Sequence, residues 1–274
     1  MKFTKMHGCG NDYIYVNCFS ENVYEPEELA RKISDRHFGI GSDGLILILP
    51  TENGDAFMQL YNADGSKGSM CGNGIRCVAK YVYDKGLIPA TRDYALIDTP
   101  SGVKRITLEI ANGKVEAACV DMGIAKLDGE LPEKINVDGM SLQFIGVDVG
   151  NDHAVYFLED NPELEGIMTW PESKFASEGV KFETHERFPR RVNTEFIRVI
   201  ARDEIDMRVY ERGSGETLAC GTGATASAFA GVIAGKLNRE VLVHLRGGDL
   251  RIKVDDDNRC FMTGPAVEVF NGEI

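Results

Sequence analysis

The chain has 274 residues, room for one large domain or two medium ones, and two are expected. Its 43% hydrophobic and 27% charged content, with one Trp, is that of an ordinary folded chain without disordered tracts. The net charge of -13, from 30 basic and 43 acidic side chains, excludes a nucleic-acid binder, since neutralising phosphates needs clustered Lys and Arg. A small anionic substrate stays open, because one Arg or a helix terminus supplies local positive potential.

In chain order, Met1 to His7 lacks the apolar core of a secretory signal, which leads us to expect a cytoplasmic protein. Strand-like runs follow at residues 10–16, 45–49 and 58–62. After Cys71, Ile75, Val78, Ala79 and Val82 fall at i, i+3, i+4 and i+7, the spacing of a helix that ends near Gly86. Further strands are expected at 106–110, 114–120, 144–149, 150–156, 195–201 and 207–211. Residues 224–234 are small and apolar on nearly every side, which predicts a central helix enclosed by protein. The last strands are expected at 240–245, 250–254 and 267–270. The uncharged run from Thr217 to Gly235 is long enough to span a membrane, but it is mostly Gly, Ala, Ser and Thr, so insertion would be weakly driven.

Two distant segments share one pattern. Met58-Gln59-Leu60-Tyr61-Asn62 and Met207-Arg208-Val209-Tyr210-Glu211 are each followed by a Gly/Ser turn and then by Cys71-Gly72-Asn73-Gly74 or Cys220-Gly221-Thr222-Gly223, at a constant offset of 149. Gly10-Asn11-Asp12 and Gly150-Asn151-Asp152 repeat at an offset of 140. A duplicated fold explains both. The predicted class is α+β: two pseudo-symmetric lobes, each a β-sheet or barrel wrapped around a central helix, with the active site in the cleft between them. Residues 1–118, with 263–274 returning, make the N-terminal lobe that carries Cys71; residues 119–262 make the C-terminal lobe that carries Cys220.

The seven cysteines are odd in number and contain no CxxC pair, so reduced thiols are expected, each a small buried hydrophobe unless its neighbours say otherwise. Cys71 and Cys220 differ from the rest in standing at helix mouths. There the unpaired N–H groups favour a thiolate, and the thiol pKa is expected to fall from about 8.5 toward neutrality. Duplicating a nucleophile gains nothing, whereas inverting a stereocentre needs a base on one face and an acid on the other. The N–H groups of Gly72, Asn73, Gly221 and Thr222 suit a carboxylate at the reacting carbon. No metal, dinucleotide or pyridoxal phosphate is called for. Cys77 is expected in the core, and His7, His37, His185 and His244 lack metal spacing.

Asn62-Ala63-Asp64-Gly65-Ser66 with Met70-Cys71-Gly72-Asn73-Gly74, and Glu211-Arg212-Gly213 with Ala219-Cys220-Gly221-Thr222-Gly223, resemble the two signature blocks of diaminopimelate epimerases. Gly8 to Asp12, Gly150-Asn151, His153 to Val155 and Arg191 to Phe196 extend the resemblance over nearly the whole chain. It implies interconversion of LL- and meso-2,6-diaminoheptanedioate without a cofactor, in lysine and cell-wall precursor synthesis, by a homodimer with no nucleic-acid or membrane partner. It also implies Cys71 and Cys220 as the acid–base pair, and Gly72, Asn73, Gly221 and Thr222 around the reacting carboxylate. Asn11, Asn62, Asn151, Asn193, Glu211 and Arg212 then fix the rest of the substrate, with His153 in support. Arg212 is expected as a buried guanidinium meeting the distal carboxylate, and Glu211 as the partner of an ammonium.

The sequence departs from the pattern twice. Gly44 stands where many members carry Gln, which removes a side-chain contact or leaves it to another group, and Asp152 replaces a usual Pro, which is expected to loosen that loop. The competing readings are a two-cysteine racemase for proline or hydroxyproline, a non-catalytic amino-acid-binding module, and a thiol redox protein. Arg212 speaks against the first, and a thiol in both halves against the second. The distal Asn and Arg positions serve no purpose in the third.

Overall fold

A computed structural model describes residues 1–68 and 70–274. The chain divides into two compact units, Met1–Asp121 with Thr263–Ile274, and Met122–Met262. The first is built from β1 (Lys2–Gly8), β2 (Asn11–Asn17), α1 (Pro26–Ser34), β3 (Gly44–Leu49), β4 (Ala56–Asn62), β5 (Lys67–Gly68), α2 (Gly72–Asp84), β6 (Tyr94–Asp98), β7 (Lys104–Ala111) and β8 (Lys114–Ile124). Strand pairing runs β1–β2–β3–β4–β6–β7–β8, with β2–β3 and β4–β6 parallel and the other pairs antiparallel.

The second unit contains β9 (Lys126–Leu127), β10 (Glu133–Val137), β11 (Met140–Asp148), β12 (Asp152–Phe157), α3 (Glu172–Glu183), β13 (Asn193–Ala201), β14 (Glu204–Glu211), β15 (Gly215–Glu216), α4 (Gly221–Ile233), β16 (Glu240–Leu245) and β17 (Gly248–Val254); β18 (Arg259–Pro265) starts in it and ends in the first. Pairing runs β9–β11–β12–β13–β14–β16–β17, with β12–β13 and β14–β16 parallel. Strands β1, β2, β3, β4, β6 and β7 thus correspond in order and direction to β11, β12, β13, β14, β16 and β17, while β10, paired with β11, has no counterpart among the described residues of the first unit. The last strand, β19 (Val267–Glu273), lies antiparallel on β1, where it occupies the place that β9 occupies on β11. These features agree with the α+β, internally duplicated fold predicted from the sequence.

In each unit the sheet wraps one helix. α2 packs on β1, β2, β4, β6 and β7, and α4 on β11, β12, β13, β16 and β17. Enclosure explains composition: every residue from Asn73 to Tyr83 in α2 and from Gly223 to Gly231 in α4 is buried. Both helices stop the same way. Gly86 and Gly235 take positive φ (73° and 71°), a backbone shape that favours glycine, and their N–H groups close on Tyr83 O and Val232 O at 3.0 Å. The 149-residue offset thus holds from cap to cap. No helix among the described residues is long and apolar enough to cross a membrane.

A second helix covers the outside of each sheet: α1 on β3 and β4, α3 on β13 and β14. With α1 outside it, β3 is buried from Leu45 to Ile48 without alternation. Under α3 the core is aromatic, with Tyr156 stacked on Phe144 and Phe196, and Phe182 edge-on to both Tyr156 and Phe196. Neither α1 nor α3, nor strands β1, β6, β10 and β18, is among the elements read from the sequence.

Candidate active site

In the first unit the chain enters α2 through Cys71. Its backbone is extended (φ -136°, ψ 118°), and its sulfur caps the helix by accepting the Gly74 N–H at 3.3 Å, the place usually filled by a Ser, Thr, Asp or Asn oxygen. The Cys71 carbonyl takes the Ile75 N–H at 2.9 Å, so Gly72 and Asn73 present N–H groups that have no carbonyl one turn earlier. Asn11, the first residue of β2, joins this mouth. Its Oδ1 accepts from the Cys71 thiol at 3.3 Å and from Asn73 Nδ2 at 3.4 Å, while its Nδ2 donates to Asp43 Oδ2 at 2.8 Å. Asn73 is held in turn by the fully buried Arg76, whose Nη2 donates to Asn73 Oδ1 at 3.0 Å.

The second unit repeats the cap with different neighbours. Cys220 (φ -116°, ψ 108°) accepts the Gly223 N–H at 3.3 Å, and its sulfur lies 3.4 Å from Thr222 Oγ1. Asn151 Nδ2 reaches the same Thr222 oxygen at 3.5 Å, and Asn151 Oδ1 lies 3.1 Å from His153 Nε2. His153 Nδ1 is 2.7 Å from Glu195 Oε1, and both side chains are wholly buried. The parallel register of β12 and β13 makes this possible by setting His153 beside Asn193 and Val155 beside Glu195. Glu195 Oε2 has no hydrogen-bond partner among the described residues. Glu211, at the end of β14, accepts from Thr217 Oγ1 and also contacts Cys220.

The expected acidity of the thiols is not found. Burial pushes the Cys71 thiol above its ordinary value; the Gly74 and Asn73 N–H groups, the Tyr13 hydroxyl and the Arg76 charge oppose the shift without cancelling it. Cys220 is pushed up much further, first by burial and then by the Glu211 and Glu195 carboxylates, against help from Thr222 and Gly223 N–H. Burial raises the Glu211 carboxyl as well. Helix-terminus N–H groups do favour each thiolate, but the loss of water outweighs them.

The structure therefore brings Asn11, Cys71, Gly72 and Asn73 together in one unit, and Asn151, His153, Glu211, Cys220, Gly221 and Thr222 in the other. Asn193 lies apart from the thiol: its Oδ1 accepts the Arg212 N–H at 2.9 Å and its Nδ2 donates to Asp152 O at 3.3 Å. Asn62 is exposed and bonds within its own turn, to Ser66 Oγ at 3.0 Å. Arg212 is exposed rather than buried, with Nη1 3.4 Å from Arg190 O; it lies in the turn after β14, beyond the cover of the sheet. Asp152, in the position expected to loosen its loop, accepts from Arg190 Nη2 through both carboxylate oxygens, at 3.0 and 3.1 Å. A Cβ at Gly44 would stand 2.1 Å from Tyr61 O, so this position has no room for a side chain. Sequence reasoning missed Tyr13, Asp43, Arg76, Glu195 and Thr217. Of these, Glu195 had a usable signal, two residues beyond Asn193 on a strand next to His153.

The family model for diaminopimelate epimerase matches residues 3–127 and 145–269. A diaminopimelate epimerase of Agathobacter rectalis is 47% identical over 293 residues, covering 100% of this chain and 99% of the relative. One from Methanococcus maripaludis is 46% identical over 286 residues, with 100% and 99% covered. Among solved structures, a probable proline racemase from Agrobacterium radiobacter superposes with TM-score 0.73 at 15% identity, over 100% of this chain and 92% of its own. A PhzF-family protein from Bacillus anthracis gives 0.71 at 14%, over 100% and 98%. At such identities the two structures share the fold, whereas the matches to the family model and to full-length relatives decide kinship: the chain belongs to the diaminopimelate epimerase family.

Proposed function

We propose that the protein interconverts LL- and meso-2,6-diaminoheptanedioate without a cofactor, with Cys71 and Cys220 as its acid–base pair. The observation that carries this reading is the pair of cysteine-capped central helices at one constant offset, in a chain nearly half identical along its full length to named diaminopimelate epimerases. One thiolate takes the α-hydrogen: the Cα–H bond breaks, an S–H bond forms, and the electron pair spreads into the α-carboxylate. N–H groups of Gly72, Asn73, Gly221 and Thr222 stabilise that charge, being fixed in place before it develops. The other thiol then delivers its proton to the opposite face, and the two sulfurs end with exchanged protonation states.

His153, held by Glu195 and Asn151, supports the Cys220 half, and Glu211 offers a carboxylate to the substrate ammonium. Asn11, Asn62, Asn151, Asn193 and Arg212 complete the binding set, with Arg212 as the group for the distal carboxylate. We infer a cytoplasmic homodimer; the exposed Val267, Val269, Phe270 and Ile274 on and after β19 support self-association, which sedimentation velocity tests.

The deciding experiment incubates the purified protein with one diaminopimelate stereoisomer in deuterated water. Deuterium is expected at the α-position in step with inversion, and both Cys71→Ala and Cys220→Ala should abolish net epimerisation. Near wild-type turnover by either variant would exclude the two-thiol mechanism.

A further inference from the structure

Four side chains at the mouth of α2 form a chain whose two ends differ in kind. Arg76, fully buried on α2, donates from Nη2 to Asn73 Oδ1 at 3.0 Å; Asn73 Nδ2 donates to Asn11 Oδ1 at 3.4 Å; and Asn11 Nδ2 donates to Asp43 Oδ2 at 2.8 Å. An amide meets a neighbour with either its oxygen or its NH2, so two amides alone could be linked in either sense. A guanidinium, however, only donates, and a carboxylate only accepts. With Arg76 at one end and Asp43 at the other, the three bonds can be made in one sense only.

Both ends are themselves fixed. Arg76 also donates from Nη1 to Gly72 O and from Nε to Pro265 O, each at 3.3 Å, and Gly8 leaves the room its guanidinium takes, since a Cβ there would stand 2.8 Å from Nη2. Asp43 accepts from Arg36 Nη2 at 2.8 Å and from the Asp12 N–H at 3.1 Å, so it is an acceptor at each of these contacts. The second unit is built differently. At the 149-residue offset Thr222 takes the place of Asn73 and Thr225 that of Arg76, and Thr225 Oγ1 reproduces only the bond to the first carbonyl of the helix, Gly221 O, at 2.9 Å.

We propose that Arg76 and Asp43 are positioning residues for Cys71, acting together to set the sense of the Asn73 and Asn11 amides so that Asn11 meets the sulfur with its oxygen. The inference rests on the reading of Cys71 as one of the two proton-transfer groups. That oxygen accepts the Cys71 S–H at 3.3 Å, while the Gly74 N–H reaches the sulfur from the helix side, also at 3.3 Å. The sulfur therefore has an acceptor ready for its thiol and a donor ready for its thiolate, as suits a group that alternately gains and loses a proton. Turned the other way, Asn11 would offer its NH2, and the thiol would lose its acceptor. The other titratable groups that bear on Cys71 are Cys77 on α2 and Tyr13 and Tyr15 on β2.

Neutron diffraction from crystals of the wild-type protein grown in deuterated buffer reads the sense directly. Deuterium is expected on an Asn11 nitrogen that faces Asp43 and on an Asn73 nitrogen that faces Asn11; an Asn11 nitrogen turned toward Cys71 overturns the inference. Dependence on the two ends is read in the double variant Arg76→Gln/Asp43→Asn, where each end can donate or accept and one charge of each sign is removed. The freed amides can then turn an Asn11 N–H to the sulfur, a bond that favours the thiolate. Alkylation of Cys71 by iodoacetamide, followed by peptide mass spectrometry at a pH below its midpoint, is expected to quicken by about tenfold, with the midpoint moved downward. Cys18, in the same unit but outside this cluster, should be unaffected. An unchanged or raised Cys71 midpoint in the folded double variant overturns the inference, and if that variant does not fold the neutron measurement decides alone. A wild type that shows this amide order but does not epimerise diaminopimelate overturns the functional reading instead.

Discussion

Gly223→Ala isolates the second thiol without removing any functional group. A Cβ at this position would lie 2.6 Å from Glu195 Oε1 and 3.2 Å from Cys220 Sγ. Comfortable heavy-atom contact needs about 3.5 Å, so the carboxylate must retreat by close to 1 Å and the sulfur by a few tenths. Glu195 cannot swing away freely, because it is wholly buried and Oε1 is tied to His153 at 2.7 Å. The helix itself gains from the exchange, by up to about 1 kcal/mol, while overpacking costs about 1–3 kcal/mol. Net stability should fall only slightly, while a displacement of this size at a proton-transfer atom costs on the order of 100-fold in rate.

Gly74→Ala supplies the contrast. Its Cβ would meet Ile46 Cδ1 at 2.8 Å and Met58 Cε at 3.2 Å, the mobile ends of apolar side chains, and would touch the Cys71 Cβ at an ordinary 3.5 Å. Activity should stay within about tenfold of wild type, since these ends can change rotamer. Urea denaturation and α-proton exchange, measured on both variants, decide the matter. Full activity in Gly223→Ala, or an equal loss in Gly74→Ala, would show that the Glu195–Gly223–Cys220 packing does not govern the thiol.

Arg212→Ala should lower kcat/KM for diaminopimelate by about 10- to 100-fold, the range for a lost charge-assisted hydrogen bond; because the guanidinium is exposed, the larger rejection expected of a buried unpaired charge does not apply. Lysine, which lacks the distal carboxylate, should be equally poor with wild type and variant, and a variant as active as wild type on diaminopimelate would remove Arg212 from the binding set. Asp12 offers a pH test: burial works to raise its carboxyl, but Arg36 at 2.7 Å and Lys5 at 2.9 Å outweigh it and hold the group below its ordinary 3.8. Since the folded pKa is the lower one, this stabilisation is fully present above about pH 4 and is lost as pH falls through the folded value. Asp12→Asn should flatten the acid limb of the urea midpoint, and an unaltered limb would contradict the assignment.

Much of the fold was legible because duplication leaves a mark that periodicity alone does not. The offset of 149 located both central helices, and the pattern after Cys71 placed its end at the glycine that in fact takes positive φ. α1 and α3 escaped because helices of nine and twelve residues bury only three and four residues each, which leaves few apolar positions to mark them. The site was legible where a group acts through its own backbone, as at the helix caps. It was not legible where burial decides. Nothing local to Cys71 or Cys220 says that the enclosing sheet removes enough water to raise both thiols, or that the turn carrying Arg212 stays outside.

Duplication supplies two thiols on equal caps, whereas the proposed reaction asks unlike things of them at any one moment, a base from one and an acid from the other. The neighbours break the symmetry that the backbone imposes. Around Cys71 stand donors and a cation: the Gly74 N–H, the Tyr13 hydroxyl and the Arg76 guanidinium all favour the charged form. Around Cys220 stand Glu211 and Glu195, both of which oppose it. Burial works against the charge on both thiols, and the carboxylates work against it at Cys220 alone. The helix caps favour a thiolate in both units, and the unlike side chains around them support it at Cys71 and oppose it at Cys220.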